Sequence, residues 1–503
     1  MKKRLSLILI ILIIATGFPS YSFADAIINN GSKHTVDVFP DMISLKYNDN
    51  SVPLADYTDY DTLQVGTYVC ASMASAKTMR NCPVLAAHRI FCFETYNSDN
   101  VVQILMSNRE IWFRYIGETW VKIEAKEPDY PRYYESYLLE KEEIIRNRIM
   151  NAGSQSDSFA LITDIHWGPR NQKHSPALLE HISKTTPLGK LIMLGDYYAT
   201  DEISKAAKNI SNVLNIFTNL GFESFAAVGN HDYNQSTISG IETFTEEQLY
   251  PLIMTHLIGN PNVVADQLTC SFFVDNKNLR TRYFFTNCNT SSSFDPDSYK
   301  WIFEQMENVP NGYRIAIFTH SGLSGPKGVD HQYAKYLTGA LSALKNKTTY
   351  VFDATIYDYS NVDADVLFVW SGHNHEDQVF TDNGIVCIVT TCDAGALECG
   401  NLERTEGTIS EQAFDCATIS MARNVMWLTR IGAGSDRIIH YEPVKVLDST
   451  RLSSLLDGPV TWSVEDGNVI SASDGVINKL AKGYSAVYAK SANGEIEVWN
   501  IVT

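Results

Sequence analysis

The sequence predicts an α/β protein with a small all-β domain at each end. Between residue 158 and about residue 445, strand-like apolar runs alternate with helix-like stretches at 176–184, 202–220, 246–258, 298–306 and 332–344, the signature of a large α/β domain. Outside that span, from 53 to 124 and again from about 455, the runs are short and punctuated by turn residues. The composition agrees: 503 residues, 45% hydrophobic and 19% charged, provide a large core and exclude wholesale disorder. At roughly 100 to 200 residues per domain, several domains are expected.

The first 24 residues read as a secretory signal peptide. Lys2, Lys3 and Arg4 precede an apolar run over 5–15, and Ser22-Phe23-Ala24 supplies small residues at a cleavage point. The run is too short to span a bilayer, and no later segment is long and apolar enough to do so. The chain is therefore expected to be secreted or cell-surface associated. Asp and Glu number 58 against 40 Lys and Arg, a net charge of −18, so the surface repels polyanions and a nucleic-acid scaffold is excluded as a partner.

Residues 25–125 form the first small β domain. A linker follows over 126–157, in which Pro128 and Pro131 precede a charged helical stretch over 140–148, expected to expose a solvated face. Residues 158–445 are the α/β domain and 446–503 the second β module, with turn glycines at Gly467, Gly475, Gly483 and Gly494. Of the nine cysteines, Cys270, Cys288 and Cys387 sit in apolar runs that suit buried free thiols, whereas Cys392, Cys399 and Cys416 cluster closely enough to invite pairing. No CxxC spacing occurs, which argues against a structural zinc site.

Five apolar runs of the central domain each stop at a residue able to bind a hard or borderline metal. Residues 159–162 lead to Asp164 and His166, 191–194 to Asp196, 225–228 to Asn230, His231 and Asp232, 315–318 to His320, and 366–370 to His373 and His375. In an α/β sheet the carboxyl ends of strands open on one crevice, so residues this far apart in sequence can share a site. Carboxylate, imidazole and amide oxygen without thiolate suit Mn, Fe, Zn or Ni in a catalytic site. Gly195, Gly229 and Gly372 lie where a turn must pass close to such a centre. The remaining histidines lack this context and read as ordinary surface or core residues.

In this order DxH, GD, GNHD, a lone His and GHxH resemble the calcineurin-like metallophosphoesterases, over roughly 158–445. The resemblance implies a sandwich of two sheets flanked by helices, and two divalent metal ions as cofactors. By the same likeness Asp164, His166 and His375 hold the first ion, Asn230, His320 and His373 the second, and Asp196 bridges them. His231 is then the general acid and Asp232 its orienting partner. The implied reaction is hydrolysis of a phosphate mono- or diester by direct attack of a metal-bound hydroxide, with the phosphate ester as partner.

The N-terminal module resembles the pyocin-knob domain of phage tail fibres, through Gly66-Thr67-Tyr68, Asn81-Cys82-Pro83, Val102-Gln103 and a closing aromatic strand ending at Trp120. The C-terminal module resembles a bacterial Ig-like domain of the group 2 type, through Val460-Thr461-Trp462-Ser463, Asp474-Gly475-Val476-Ile477 and Gly483-Tyr484-Ser485-Ala486-Val487. Both likenesses imply contact with glycan or cell envelope. The competing expectation is a non-catalytic surface or phage-derived attachment protein with the central domain as scaffold.

Overall fold

The computed structural model describes residues 52–503 apart from 65, 71, 77, 84–87, 96–97, 108–110, 117–118, 124–129, 169–173, 199–200, 235–241, 288–295, 324–333 and 395–401. The N-terminal segment expected to be a signal peptide, Cys288 and Cys399 lie outside the described residues. Two compact units divide the chain, Met1–Asp129 and Tyr130–Thr503.

The described part of the first unit is one sheet in sequential order: β1 (Val52–Pro53), β2 (Gly66–Cys70), β3 (His88–Thr95), β4 (Ser98–Ser107), β5 (Ile111–Tyr115) and β6 (Val121–Ile123). Ile90 and Cys92 on β3 bury one face by period-two alternation and pack with Tyr60, Leu63, Cys70 and Leu105. Trp112 and Trp120 lean on this core, and the Arg114 guanidinium lies 4.5 Å from the Trp120 ring centre while pairing with Asp61 at 2.6 Å.

The second unit contains β7 (Ser156–Ile162), β8 (Lys190–Met193), β9 (Glu223–Ala226), β10 (Val263–Asp266), β11 (Ser271–Asn276), β12 (Thr281–Thr286) and β13 (Tyr313–Thr319). Next come a hairpin of β14 (Thr349–Phe352) and β15 (Thr355–Asp358), then β16 (Ala364–Ser371), β17 (Gln378–Asp382), β18 (Ile385–Val389), β19 (Ala413–Ser420), β20 (Val425–Gly432) and β21 (Arg437–Lys445). The C-terminal strands are β22 (Ser449–Arg451), β23 (Val460–Val464), β24 (Ile470–Ser473), β25 (Val476–Lys479), β26 (Tyr484–Ser491) and β27 (Ile496–Val502).

These strands form the expected sandwich of two sheets flanked by helices. One sheet has seven strands in the order β10-β11-β12-β13-β16-β18-β17 and the other nine in the order β23-β26-β27-β21-β20-β19-β7-β8-β9. Alternation on the seven-stranded sheet fixes its two faces. Ala316, Phe318, Val386 and Ile388 point to the core shared with the other sheet, whereas Ile315, Ile317, Cys387 and Val389 join the core under the helices Pro296–Glu307 and Ala334–Lys345. Between the sheets Phe159 of β7 lies 5.7 Å from Phe318 and 5.8 Å from Trp370, ring centre to ring centre. The strands β7, β8 and β9 are parallel, as are β12, β13, β16 and β18, so both sheets send carboxyl ends to the same side of the domain.

Two features depart from the expectations above. The charged stretch over 140–148 belongs to the helix Glu135–Ala152, which exposes Glu140, Glu143 and Asn147 as expected but also buries Leu138, Glu142 and Ile145 at helical spacing. Glu142 meets His181 at 2.5 Å, and Lys141 and Arg148 pair with Asp436 at 2.6 and 2.9 Å, so the charges dock the helix on the sheet. Cys416 is a buried free thiol, as are Cys270 and Cys387, so Cys416 does not pair, and Cys392 is buried as well. The region after 446 continues the nine-stranded sheet, since β27 pairs parallel with β21. Its own core consists of Val446, Ile470, Ile477, Val487, Trp499 and Ile501 between that sheet and the three strands β22, β25 and β24. Among the described residues, no helix is long and apolar enough to cross a membrane.

Candidate metal centre and active site

The loops after β7, β8, β9, β13 and β16 bring Asp164, His166, Asp196, Asn230, His231, His320, His373 and His375 into one place. Three overlapping groups have ligand atoms mutually within 4.8 Å: Asp164 with His166 and His375; His166 with Asp196 and His231; and Asp196 with His320 and His373. His375 Nε2 lies 3.3 Å from Asp164 Oδ1 and 3.3 Å from His166 Nε2. His320 Nε2 lies 3.2 Å from Asp196 Oδ2, 3.0 Å from Asn230 Oδ1 and 3.1 Å from His373 Nδ1.

The surroundings aim these atoms. Asp164 Oδ2 accepts hydrogen bonds from Thr163 Oγ1 at 2.7 Å and from the His373 amide at 2.9 Å, which leaves Oδ1, buried and without a hydrogen bond, facing the histidines. His320 Nδ1 donates to the Leu194 carbonyl at 2.7 Å, so Nε2 carries the lone pair that points inward. Asp196 Oδ1 accepts from the His231 amide at 2.8 Å, and Oδ2 is left for the cluster. Gly229 and Gly372 sit where a Cβ would overlap Asp196 Oδ1 and Thr163 Oγ1 respectively. The turns therefore close on the carboxylates only because these positions lack a side chain.

Five of the clustered residues adopt a left-handed backbone: Asp164 (φ 51°), His166 (43°), Asp196 (56°), His373 (67°) and His375 (54°). Each such residue costs roughly 1 to 2 kcal/mol, a strain typical of functional sites. Cross-strand bonds hold it: Asp164 N donates to Gly195 O at 3.1 Å, His166 N to Asp196 O at 2.9 Å, and Gly372 N to His320 O at 3.0 Å.

Asp232 does not orient the His231 ring. Its carboxylate accepts from the amides of Asp196, Tyr197 and Gly229 at 2.9, 2.9 and 2.8 Å, so it pins the turns that carry Asp196 and Asn230. His231 keeps a buried Nδ1 without a hydrogen bond, and its ring centre is 5.0 Å from that of His166. Tyr197 and Tyr233, which adjoin the motifs, are structural: Tyr197 donates to the Ala227 carbonyl at 2.7 Å, and Tyr233 to Glu246 at 3.0 Å.

The electrostatics ask for positive charge. Burial works to raise the Asp164 carboxyl, but His320, His375 and His166 outweigh it and hold the group well below the usual carboxylate range. Asp196 is likewise brought down to about 2, against its burial, by His320 foremost. Conversely, burial works to lower His320 and His375, yet Asp196 and Asp164 lift His320 to about 9 and Asp164 lifts His375 to about 12. Burial and the charge of Asp196 push Asp232 up to about 7, against its amide donors. Two buried carboxylates facing three histidines make a pocket that could hold divalent cations, with neutral imidazoles as ligands. Together with the bare Asp164 Oδ1, this donor set fits such ions.

Residues 158–377 match the calcineurin-like phosphoesterase family. Searched against curated proteins, the chain has no match. Among solved structures it is similar to the GAP50 anchor in the inner membrane complex of Plasmodium, at 13% identity and a TM-score of 0.35, covering 54% of this chain and 84% of that one. A putative 5'-nucleotidase from Staphylococcus aureus is similar at 13% identity and a TM-score of 0.31, covering 56% and 54%. The phosphopantetheinyl hydrolase of Mycobacterium tuberculosis is similar at 9% identity and a TM-score of 0.26, covering 47% and 90%.

Three groups of supporting residues escaped the sequence reading. Thr163 is visible as the residue before a DxH motif, but nothing in its type shows that it fixes Asp164. The carbonyl of Leu194, as backbone, has no sequence signature at all. Asp377 follows the GHNH motif closely, yet its partner Arg430 carries no motif.

Proposed function

We propose that this chain is an exported phosphoric ester hydrolase that works with two divalent ions and acts on an extracellular phosphate mono- or diester. The observation that carries the reading is the convergence of Asp164, His166, Asp196, His320, His373 and His375 into overlapping clusters within the segment that matches the phosphoesterase family. Asp164, His166 and His375 would hold one ion, Asn230, His320 and His373 the other, with Asp196 between them. Ions bound there would supply charge stabilisation of phosphoryl oxygens and acidify water.

The chain's own residues do the rest. His231, beside His166, gives its proton to the departing alkoxide, a contribution of about 10² to 10⁴ in rate. Asp232 keeps Asp196 and Asn230 in register by pinning their turns. The basic, apolar start of the chain supports export, and the flanking β modules would hold the enzyme near glycan or cell envelope.

The test is hydrolysis of a nitrophenyl phosphate monoester and of the bis-nitrophenyl diester by the Mn²⁺-loaded protein, with His375→Ala as control. Metal-dependent turnover that disappears in the variant is expected, and the preferred ester assigns the substrate class. Absence of turnover on both esters, with no Mn²⁺ bound, would overturn the reading in favour of an attachment protein.

A further inference from the structure

The 373–377 turn carries two proposed ligands, both with left-handed backbones. The His373 amide ties it to Asp164 Oδ2 at 2.9 Å. Asn374 N donates to Gly372 O at 2.8 Å, and Thr391 Oγ1 donates to the His375 carbonyl at 2.8 Å. A further anchor is Asp377. That carboxylate accepts the Thr391 amide at 3.1 Å and, through both oxygens, the fork of Arg430 at 2.8 and 2.7 Å.

Arg430 is itself fixed from behind. Its Nε donates to Asp415 Oδ1 at 2.9 Å and its Nη1 to the Ala433 carbonyl at 2.7 Å, and its side chain is 1% exposed. Asp415, fully buried, also accepts Thr390 Oγ1 at 2.7 Å and the Arg437 guanidinium. Two cations and two carboxylates thus form a neutral cluster behind the turn. Arg430, Asp415 and Arg437 all lie beyond the segment 158–377 that matches the family.

A buried ion pair is weak evidence for stability, because desolvation offsets its attraction. What a bidentate guanidinium–carboxylate pair does supply is fixed geometry. Fixed geometry is what a turn that keeps two histidines in left-handed conformations needs, and Asp377, through Arg430, supplies part of it from outside the turn.

Resting on the hydrolase reading above, we propose that Asp377 and Arg430 are positioning residues, whose fork holds His373 and His375 in ligating orientation and so sets the metal affinity of the site. The layer formed by β19, β20 and β21 is then a working part of the metal centre and not a passive extension of the sheet.

The test is Mn²⁺ titration of the full chain, by calorimetry and by the electron paramagnetic resonance signal of bound Mn²⁺, alongside circular dichroism and the nitrophenyl assay. Folded Asp377→Asn should bind Mn²⁺ about 10- to 100-fold more weakly, with turnover recovering toward the unaltered value at saturating Mn²⁺. Arg430→Lys, which keeps the charge and loses the fork, should show the same shift and carries the test if Asp377→Asn does not fold. A folded variant that binds Mn²⁺ as tightly as the unaltered chain would overturn the proposal while leaving the hydrolase reading intact. Failure of both variants to fold would assign the cluster to folding and overturn it equally. If the unaltered chain binds no Mn²⁺, both readings fall together.

Discussion

The two halves of the candidate site are built differently. Asp164, Asp196 and Asn230 stand on turns after β7, β8 and β9, and what holds these turns is mostly near at hand: neighbouring amides, the carboxylate of Asp232, and glycines that let backbone pass close to carboxylate. His373 and His375 stand on a turn after β16, held by side chains from β19, β20 and the segment after β18. Both halves use backbone contacts, but the second adds a buried cluster of arginines and carboxylates from distant strands. A backbone-built turn survives changes around it so long as its own motif is kept, whereas a turn held in part by charge depends also on residues that no motif records.

Four outcomes sharpen or break this contrast. The largest belongs to the ligands: Asp164→Ala should lower hydrolysis by more than about 10³, since it removes charge from the centre that stabilises the phosphoryl group. A smaller loss, with metal stoichiometry unchanged by calorimetry, would remove Asp164 from the ligand set. Next, Arg430→Met should destabilise the chain by about 3 to 5 kcal/mol in urea melts, because Asp377 and Asp415 lose a buried partner. Asp232→Asn should cost about 1 to 3 kcal/mol in the same melts, since one amide-accepting oxygen becomes a donor facing donors. If Asp232→Asn proves the costlier of the two, the contrast is reversed.

The smallest effect separates the halves by pH. His256, packed near β9, is lowered by burial to about 4, with backbone bonds at Ile253 and Ser224 opposing. The unfolded chain therefore takes up a proton below about pH 6.5 that the folded chain refuses until about pH 4, so stability falls as pH drops through that window, by less than about 3 kcal/mol. In the other half, burial works to raise Asp415, but Arg430 and Arg437 hold it well below the usual carboxylate range. Its contribution is present above about pH 3.9 and is lost only as pH falls toward the depressed value. Acid titration of unfolding free energy should show the first loss before the second, and His256→Gln should remove only the first.

The same contrast explains what could be read from the chain alone. Each apolar run that stops at a metal-binding residue became a parallel strand whose end faces the site, because strand burial and site placement are both written locally. The role of Asp232 was misjudged because its neighbour His231 is adjacent in sequence, whereas its partners are amides brought near by folding. The charged helix Glu135–Ala152 does present a solvated face, but a run of Glu, Lys and Arg does not reveal that Asp436 and His181 await its other side. The pairing of Asp377 with Arg430 spans 53 positions and follows no period, so only the assembled sheets disclose it.

The parallel join between β21 and β27 also decides where this chain can be cut. Ending it after Lys445 would strip β21 of its neighbour on one side and bare the amides and carbonyls of Arg437–His440 and Val444–Lys445 that now pair with β27. Such an edge is a template for another chain. The C-terminal strands therefore serve as a seal, and a shortened protein would be expected to pair with itself and precipitate before its chemistry could be assayed.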